Sequence, residues 1–177
     1  MQILLVDNED SFTANLLHQI VNVTGHEPVV APYHLLNEID TDLYDMFVIS
    51  AGPGSPAEYP DYDRIFRSGK PILGVCLGMQ IMNLYHGGSV SPLKGAKHGI
   101  CREVVIDGEA YTCAVYNSLY CSDVADCFDT FAMSGGIPMG IKHRELPVAG
   151  VQFHPESFMT LEGDKILKYV FNCIGIN

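Results

Sequence analysis

Gln2 to Val6 is a short apolar run ending at Asp7, after which Phe12, Leu16, Ile20 and Val23 recur at helical spacing until Gly25. The pattern predicts a strand, a turn and an amphipathic helix closed by glycine. Val29 to Ala31, Met46 to Ser50 and Pro71 to Val75 are further apolar runs without alternation, as expected of strands buried on both faces. A second helix is predicted from Leu77 to about Tyr85, closed by Gly87-Gly88. Doubly buried strands alternating with helices imply an α/β fold: an open, mostly parallel sheet flanked by helices, with ligands expected beyond the carboxyl ends of the strands.

The second half carries a different pattern. Cys101 to Ile106, Tyr111 to Tyr116, Thr130 to Ser134, Met139 to His143 and Val148 to Phe153 are short β-type runs joined by Asp-Gly, Gly-Gly and Leu-Pro turns, which predicts antiparallel hairpins. Ile166, Leu167, Val170, Phe171 and Ile174 then form the apolar stripe of a last helix packed on that sheet. No linker, repeat or low-complexity stretch interrupts the chain, so a single domain over 1–177 is expected.

Composition narrows the function classes. With 47% hydrophobic and 18% charged residues the chain can bury a full core. Its apolar runs fall far short of the roughly 20 residues of a membrane helix, and no basic-then-apolar leader opens it. Twenty-one acids against ten bases give a net charge of -11, which disfavours a phosphate-backbone partner, so neither nucleic acid nor membrane is expected. The six cysteines at 76, 101, 113, 121, 127 and 173 contain no C-x-x-C pair and no disulfide framework, which fits a reducing cytoplasm.

One cysteine stands in a distinct setting. Strand Pro71 to Val75 runs into Gly74-Val75-Cys76-Leu77-Gly78 and a helix begins at once. A nucleophile between two glycines at a strand-to-helix turn is the elbow arrangement of G-x-S-x-G hydrolases, with sulfur for oxygen. The helix amino terminus lowers a thiol pKa and turns free N–H groups toward a developing oxyanion. Acyl transfer by a thiolate also needs a base that becomes an acid and a group that orients it. His154 follows the strand Val148 to Phe153 and precedes Pro155-Glu156, so Glu156 can fold back to hold the imidazole tautomer. Ser50-Ala51-Gly52-Pro53-Gly54 ends another strand; its spacing matches no phosphate loop, which leaves a second oxyanion donor or a simple loop.

Ser50 to Gly54, Gly74 to Gln80 (GVCLGMQ) and Gly150 to Ser157 (GVQFHPES) together resemble the class I (triad) glutamine amidotransferases, whose fold is flavodoxin-like. The opening Leu5 to Thr13, followed by Asn15-Leu16, resembles the branch that serves chorismate-using synthases, as in anthranilate or aminodeoxychorismate synthesis. The resemblance implies that Cys76 forms a γ-glutamyl thioester from L-glutamine, that His154 protonates the leaving ammonia and that Glu156 orients His154. It further implies an oxyanion site at Leu77 N–H and the Gly52, Pro53, Gly54 loop, and a hold on the amino-acid end of glutamine at Gln80, Ser118 and Leu119. The implied partner is a larger chorismate-binding synthase subunit in a heterodimer or higher assembly. No cofactor or metal is expected, because this chemistry needs only a nucleophile, a proton shuttle and an oxyanion hole.

Some positions depart from that pattern: Ala51 for proline, Met79 for histidine, Ile100 for a basic residue, Asn117 for histidine, and a short 98–117 segment. Ile100, Asn117 and the short segment bear on partner coupling rather than on the triad. Lys94, Lys97 and His98 form a basic cluster, either a solvated loop or a contact with an acidic partner patch. Asp7, Glu9 and Asp10 are expected to cap the first helix. Alternative functions are an amidotransferase subunit for another acceptor, such as guanylate synthesis, a free γ-glutamyl hydrolase, or a catalytically silent subunit. The chain ends at Asn177, so an acceptor domain is expected on a separate protein.

Overall fold

A computed structural model of the chain describes residues 1–96 and 98–176; Lys97 of the basic cluster lies outside them. Strands β1 (Ile3–Asp7), β2 (Val29–Pro32), β3 (Met46–Ile49) and β4 (Ile72–Val75) are followed by helix α1 (Thr13–Thr24), two 3-10 turns (Tyr33–Glu38 and Thr41–Leu43), helix α2 (Asp63–Phe66) and helix α3 (Leu77–Tyr85) in turn. There follow β5 (Ser89–Pro92), β6 (Ile100–Ile106), β7 (Glu109–Val115), β8 (Leu119–Asp123), β9 (Phe128–Ser134), β10 (Ile137–His143), β11 (Val148–Val151) and α4 (Gly163–Cys173). Nine strands form one sheet in the order β2-β1-β3-β4-β11-β10-β9-β6-β7, and β5 and β8 form a separate ribbon. From β2 to β11 every neighbour is parallel, and from β10 to β7 every neighbour is antiparallel.

The continuous apolar runs explain the parallel half. Successive residues of a strand face opposite sides, so Leu5, Val48, Val75 and Val151 pack toward Leu16, Ile20, Leu167 and Phe171 on one face. Leu4, Phe47, Ile49 and Ile72 pack toward Ile81, Met82, Tyr62 and Phe66 on the other. Burying each such side chain contributes about 1.5–3 kcal/mol against chain entropy. In the antiparallel half the predicted turns form: Asp107 and Gly108 both have positive φ (49° and 90°), the two-residue turn that matches strand twist, and it makes the 98–117 segment short.

Two features differ from the sequence expectation. The ribbon of β5 and β8 escapes it, because Ser-Val-Ser-Pro and Leu-Tyr-Cys-Ser-Asp are short and too polar to give a clear period. Helix α1 is capped by Phe12 without a side-chain bond. Asp7 and Asp10 instead brace the turn before it: Asp7 Oδ1 accepts the N–H of Glu9 and Asp10 and the Thr13 hydroxyl, and Asp10 Oδ2 accepts Phe12 N–H. No helix among the described residues is long and apolar enough to cross a membrane.

Strand ends and helix starts meet tightly where β4 enters α3. A Cβ on Gly78 would strike the carbonyl oxygen of Ile49 on β3, and one on Gly74 would lie 2.6 Å from the carbonyl carbon of Gly78. Both obstacles are backbone, so neither yields by a rotamer change. Gly78→Ala should therefore lower stability by about 2–3 kcal/mol, read as an earlier midpoint in urea unfolding; a midpoint equal to that of the parent would contradict this packing.

Candidate active site

The carboxyl ends of β1, β3, β4 and β11 carry Asn8, the Ser50–Gly54 loop, Cys76 and, three residues beyond β11, His154. Ligands of open α/β sheets bind at this edge. Cys76 sits at φ 53°, ψ -101°, a conformation rare for a residue with a side chain, held because its N–H bonds Val151 O (2.7 Å) and its carbonyl accepts Gln80 N–H (3.2 Å). Leu77 is the first residue of α3, so its N–H has no intrahelical acceptor and carries the positive end of the helix dipole.

His154 and Glu156 meet as the sequence suggested. Their Nδ1 and Oε1 are 2.6 Å apart, and both side chains are almost wholly buried. His154 N–H is pinned to Ala114 O (3.0 Å), and Gln19 Nε2 from α1 donates to Pro155 O (2.8 Å), so the turn between them is fixed from two sides. His154 Nε2 and Glu156 Oε2 have no hydrogen-bond partner among the described residues. Burial alone would depress the imidazole pKa, but the Cys76 sulfur and the Glu156 carboxylate outweigh it and hold His154 above its ordinary value. Burial pushes the thiols of Cys113 and Cys121 up to about 12, so both stay protonated at neutral pH.

Two cavities flank Cys76. One of about 160 Å³ is lined by Cys76 together with Gly52, Pro53, Gly54, Leu77, Gln80, Ser118 and Leu119, so every residue assigned to glutamine and oxyanion binding borders a single space. A second of about 390 Å³ shares Cys76, Gly52, Pro53, His98 and Tyr116 and adds His154, Phe12, Glu9 and Asp10. In the first, Gln80 Nε2 donates to Leu119 O and Gln152 Oε1, both at 3.0 Å. Asn117 Nδ2 also donates to Leu119 O (2.8 Å), and Ser118 Oγ lies 2.9 Å from His98 Nε2. His98 thus lines the cavity wall from an exposed loop. Of the departures from the family pattern, Asn117 and Ala51 border the cavities, whereas Ile100 packs on the core.

Several residues of this site carried no signal in the sequence. Gln152 Nε2 donates to Cys76 Sγ (3.4 Å). Tyr116 presents its ring to His154 at 4.9 Å in a T-shaped contact, and Phe12 lies 5.7 Å from the same imidazole. Asn8 is fully buried: its N–H bonds Ser50 Oγ, its Nδ2 bonds Ser50 O, and Tyr62 OH donates to its Oδ1 (2.6 Å). That network holds the strand end against which Gly52 lies, where a Cβ would come 2.5 Å from Asn8 O.

Among the described residues, two groups bring three ligand-type atoms within 4.8 Å of one another: Asp10, His154 and Glu156, and His86, Cys127 and His143. In the first, His154 Nδ1 is engaged by Glu156. In the second, His143 Nδ1 already accepts the N–H groups of Glu145 and Leu146, which puts its ring proton on Nε2 and leaves no free lone pair for a metal.

Comparison with known proteins follows the same lines. Residues 4–173 match the family described as glutamine amidotransferase class-I. The chain is 38% identical to the aminodeoxychorismate synthase of Streptomyces griseus over 94% of its own length, and spans 25% of that longer protein. It is 37% identical to anthranilate synthase component 2 of Thermococcus kodakarensis, covering 94% of this chain and 95% of that one. A crystal structure from Thermoplasma acidophilum, provisionally assigned as one of the subunits of GMP synthase, superposes with a TM-score of 0.83 at 27% identity, over 99% of this chain and 93% of the other.

Proposed function

This chain belongs to the class I glutamine amidotransferases, and on that premise we propose that it hydrolyses L-glutamine on Cys76 and passes the ammonia to a chorismate-using synthase component. The Cys76 sulfur attacks the side-chain carbonyl carbon, and the carbonyl oxygen takes up the negative charge. Leu77 N–H and the Gly52 to Gly54 loop border the cavity where that oxygen would stand, and a preformed donor there acts where charge develops. His154 Nε2 gives its proton to the departing nitrogen, so that ammonia leaves and a γ-glutamyl thioester remains. Water, losing a proton to the same Nε2, then attacks the thioester; glutamate departs and the Cys76 sulfur is restored.

The observation that carries this reading is the state of His154: buried, locked to Glu156 through Nδ1, and unpartnered at Nε2, with Cys76 as the strongest influence raising its pKa. The acceptor is argued from the relatives, one named for aminodeoxychorismate and one for anthranilate synthesis. A guanylate acceptor has the likeness to the Thermoplasma structure in its favour, at lower identity.

The test is glutamate release from glutamine by the purified chain, alone and with each candidate synthase component encoded in the same genome. Rate-limiting closure on partner binding is common where a site must exclude water, so one chorismate-using component should raise the rate by about tenfold or more and yield an aminated product from glutamine. Stimulation by a nucleotide synthetase alone would overturn the acceptor.

A further inference from the structure

Phe158 is 84% exposed and Leu161 60% exposed. Both lie in the turn that leaves His154 and Glu156, and the segment Ser157-Phe158-Met159-Thr160-Leu161 carries no charge in a chain of net charge -11. The turn is fixed at every step. Ser157 N–H bonds His154 O, Thr160 N–H bonds Ser157 O (2.9 Å), and Leu161 N–H bonds Thr112 O on β7 (2.9 Å). The buried Thr160 hydroxyl receives Ala114 N–H (2.9 Å) and donates to His154 O (2.5 Å). A phenyl ring held in water by so rigid a support has little freedom left to lose on docking, which favours an aromatic anchor of an interface.

We infer that Phe158, with Leu161 three residues on, is the anchor by which this domain docks into an apolar pocket of its synthase component. The inference rests on the acceptor proposed above and adds the surface that meets it. Two observations select this occupant. One relative is named as component 2 of anthranilate synthase and another is a longer protein of which this chain spans 25%, so in both names the equivalent domain works beside further protein. The residue before the anchor adjoins the mouth: Ser157 Oγ is 3.2 Å from Tyr116 OH, and Tyr116 borders both cavities and packs on His154. A partner that collects ammonia must seal against the rim of that mouth. An uncharged aromatic centre with polar surroundings is the usual make-up of such a contact.

The experiment compares the parent chain with Phe158→Ser and, independently, Leu161→Ser. Affinity for the synthase component that stimulates the parent is measured by titration calorimetry, with light scattering on the chain alone and the basal glutaminase rate as controls. Phe158→Ser should weaken the complex by about 30-fold, the range of an interface hot spot, and leave the basal rate within about twofold, since the ring touches neither cavity. A complex unchanged by both substitutions overturns the anchor and leaves the acceptor standing. A parent chain that binds no chorismate-using component overturns both. Self-association of the parent that Phe158→Ser abolishes would assign the surface to a second copy and overturn the inference.

Discussion

Replacing Cys76 by Ser should lower glutamate release by about 10⁴-fold or more, measured at saturating glutamine with the stimulating partner present. The substitution removes one atom type and little else. Backbone strain at φ 53° is fixed by the bonds to Val151 and Gln80, which serine keeps, and a hydroxyl can accept the Gln152 amide as the sulfur does. The loss therefore reports the sulfur's nucleophilicity together with its hold on the His154 proton, and the thermal midpoint should stay within about 2 °C of the parent. No other cysteine borders either cavity: Cys113 and Cys121 are buried with pKa values pushed up to about 12, burial raises those of Cys127 and Cys173 as well, and Cys101 on β6 lies outside both linings. Retention of a tenth of the parental rate would remove Cys76 from the proposed chemistry and revive the catalytically silent alternative.

How much of this was legible beforehand depends on how local each interaction is. The Cys76 elbow is encoded in five consecutive residues, because the turn demands small neighbours where Gly74 and Gly78 touch backbone. His154 and Glu156 are two apart, so a single turn brings them together. The parallel strands were legible because burial on both faces leaves a run with no polar interruption. Tyr116, Phe12 and Gln152 were not, since each reaches the site only through tertiary packing from an element with another burial demand. The Asn8, Ser50 and Tyr62 network joins positions 42 and 54 residues apart and leaves no period at all. The acids before α1 were misplaced for a related reason. Asp7 and Asp10 sit where caps belong, but short side chains bond equally well to a turn, and here the turn has the free N–H groups.

The site thus combines one strained residue with a well-satisfied surround. Cys76 holds an uncommon backbone conformation, while Asn8, Gln80 and Gln152 place their polar groups on neighbours that hold the strand ends and loops in register. Strain of this kind persists only where the rest of the structure over-determines it. Close packing at Gly52 and Gly78 supplies that constraint, and so links stability of the parallel sheet to the geometry of the nucleophile.

Glu156→Gln should reduce kcat by about 10³–10⁴-fold, with KM little changed, because Glu156 borders neither cavity and acts through His154. An amide oxygen can still accept from Nδ1, but the charge is gone. Burial, the largest influence on the imidazole, then acts against one fewer opposing group, after the Cys76 sulfur, and the pKa of His154 falls. Imidazole carbon shifts followed by NMR should show the drop directly. Stability gives an independent reading with a definite sign. In the parent, a folded-state pKa above the ordinary 6.5 means the charged imidazole contributes fully to stability below that pH and progressively less as pH rises toward the folded value. The stability deficit of Glu156→Gln should accordingly be larger at pH about 6 than at pH about 9. A deficit independent of pH, or an unshifted imidazole, would mean that Glu156 holds the turn mechanically and leaves the charge on His154 to Cys76 alone.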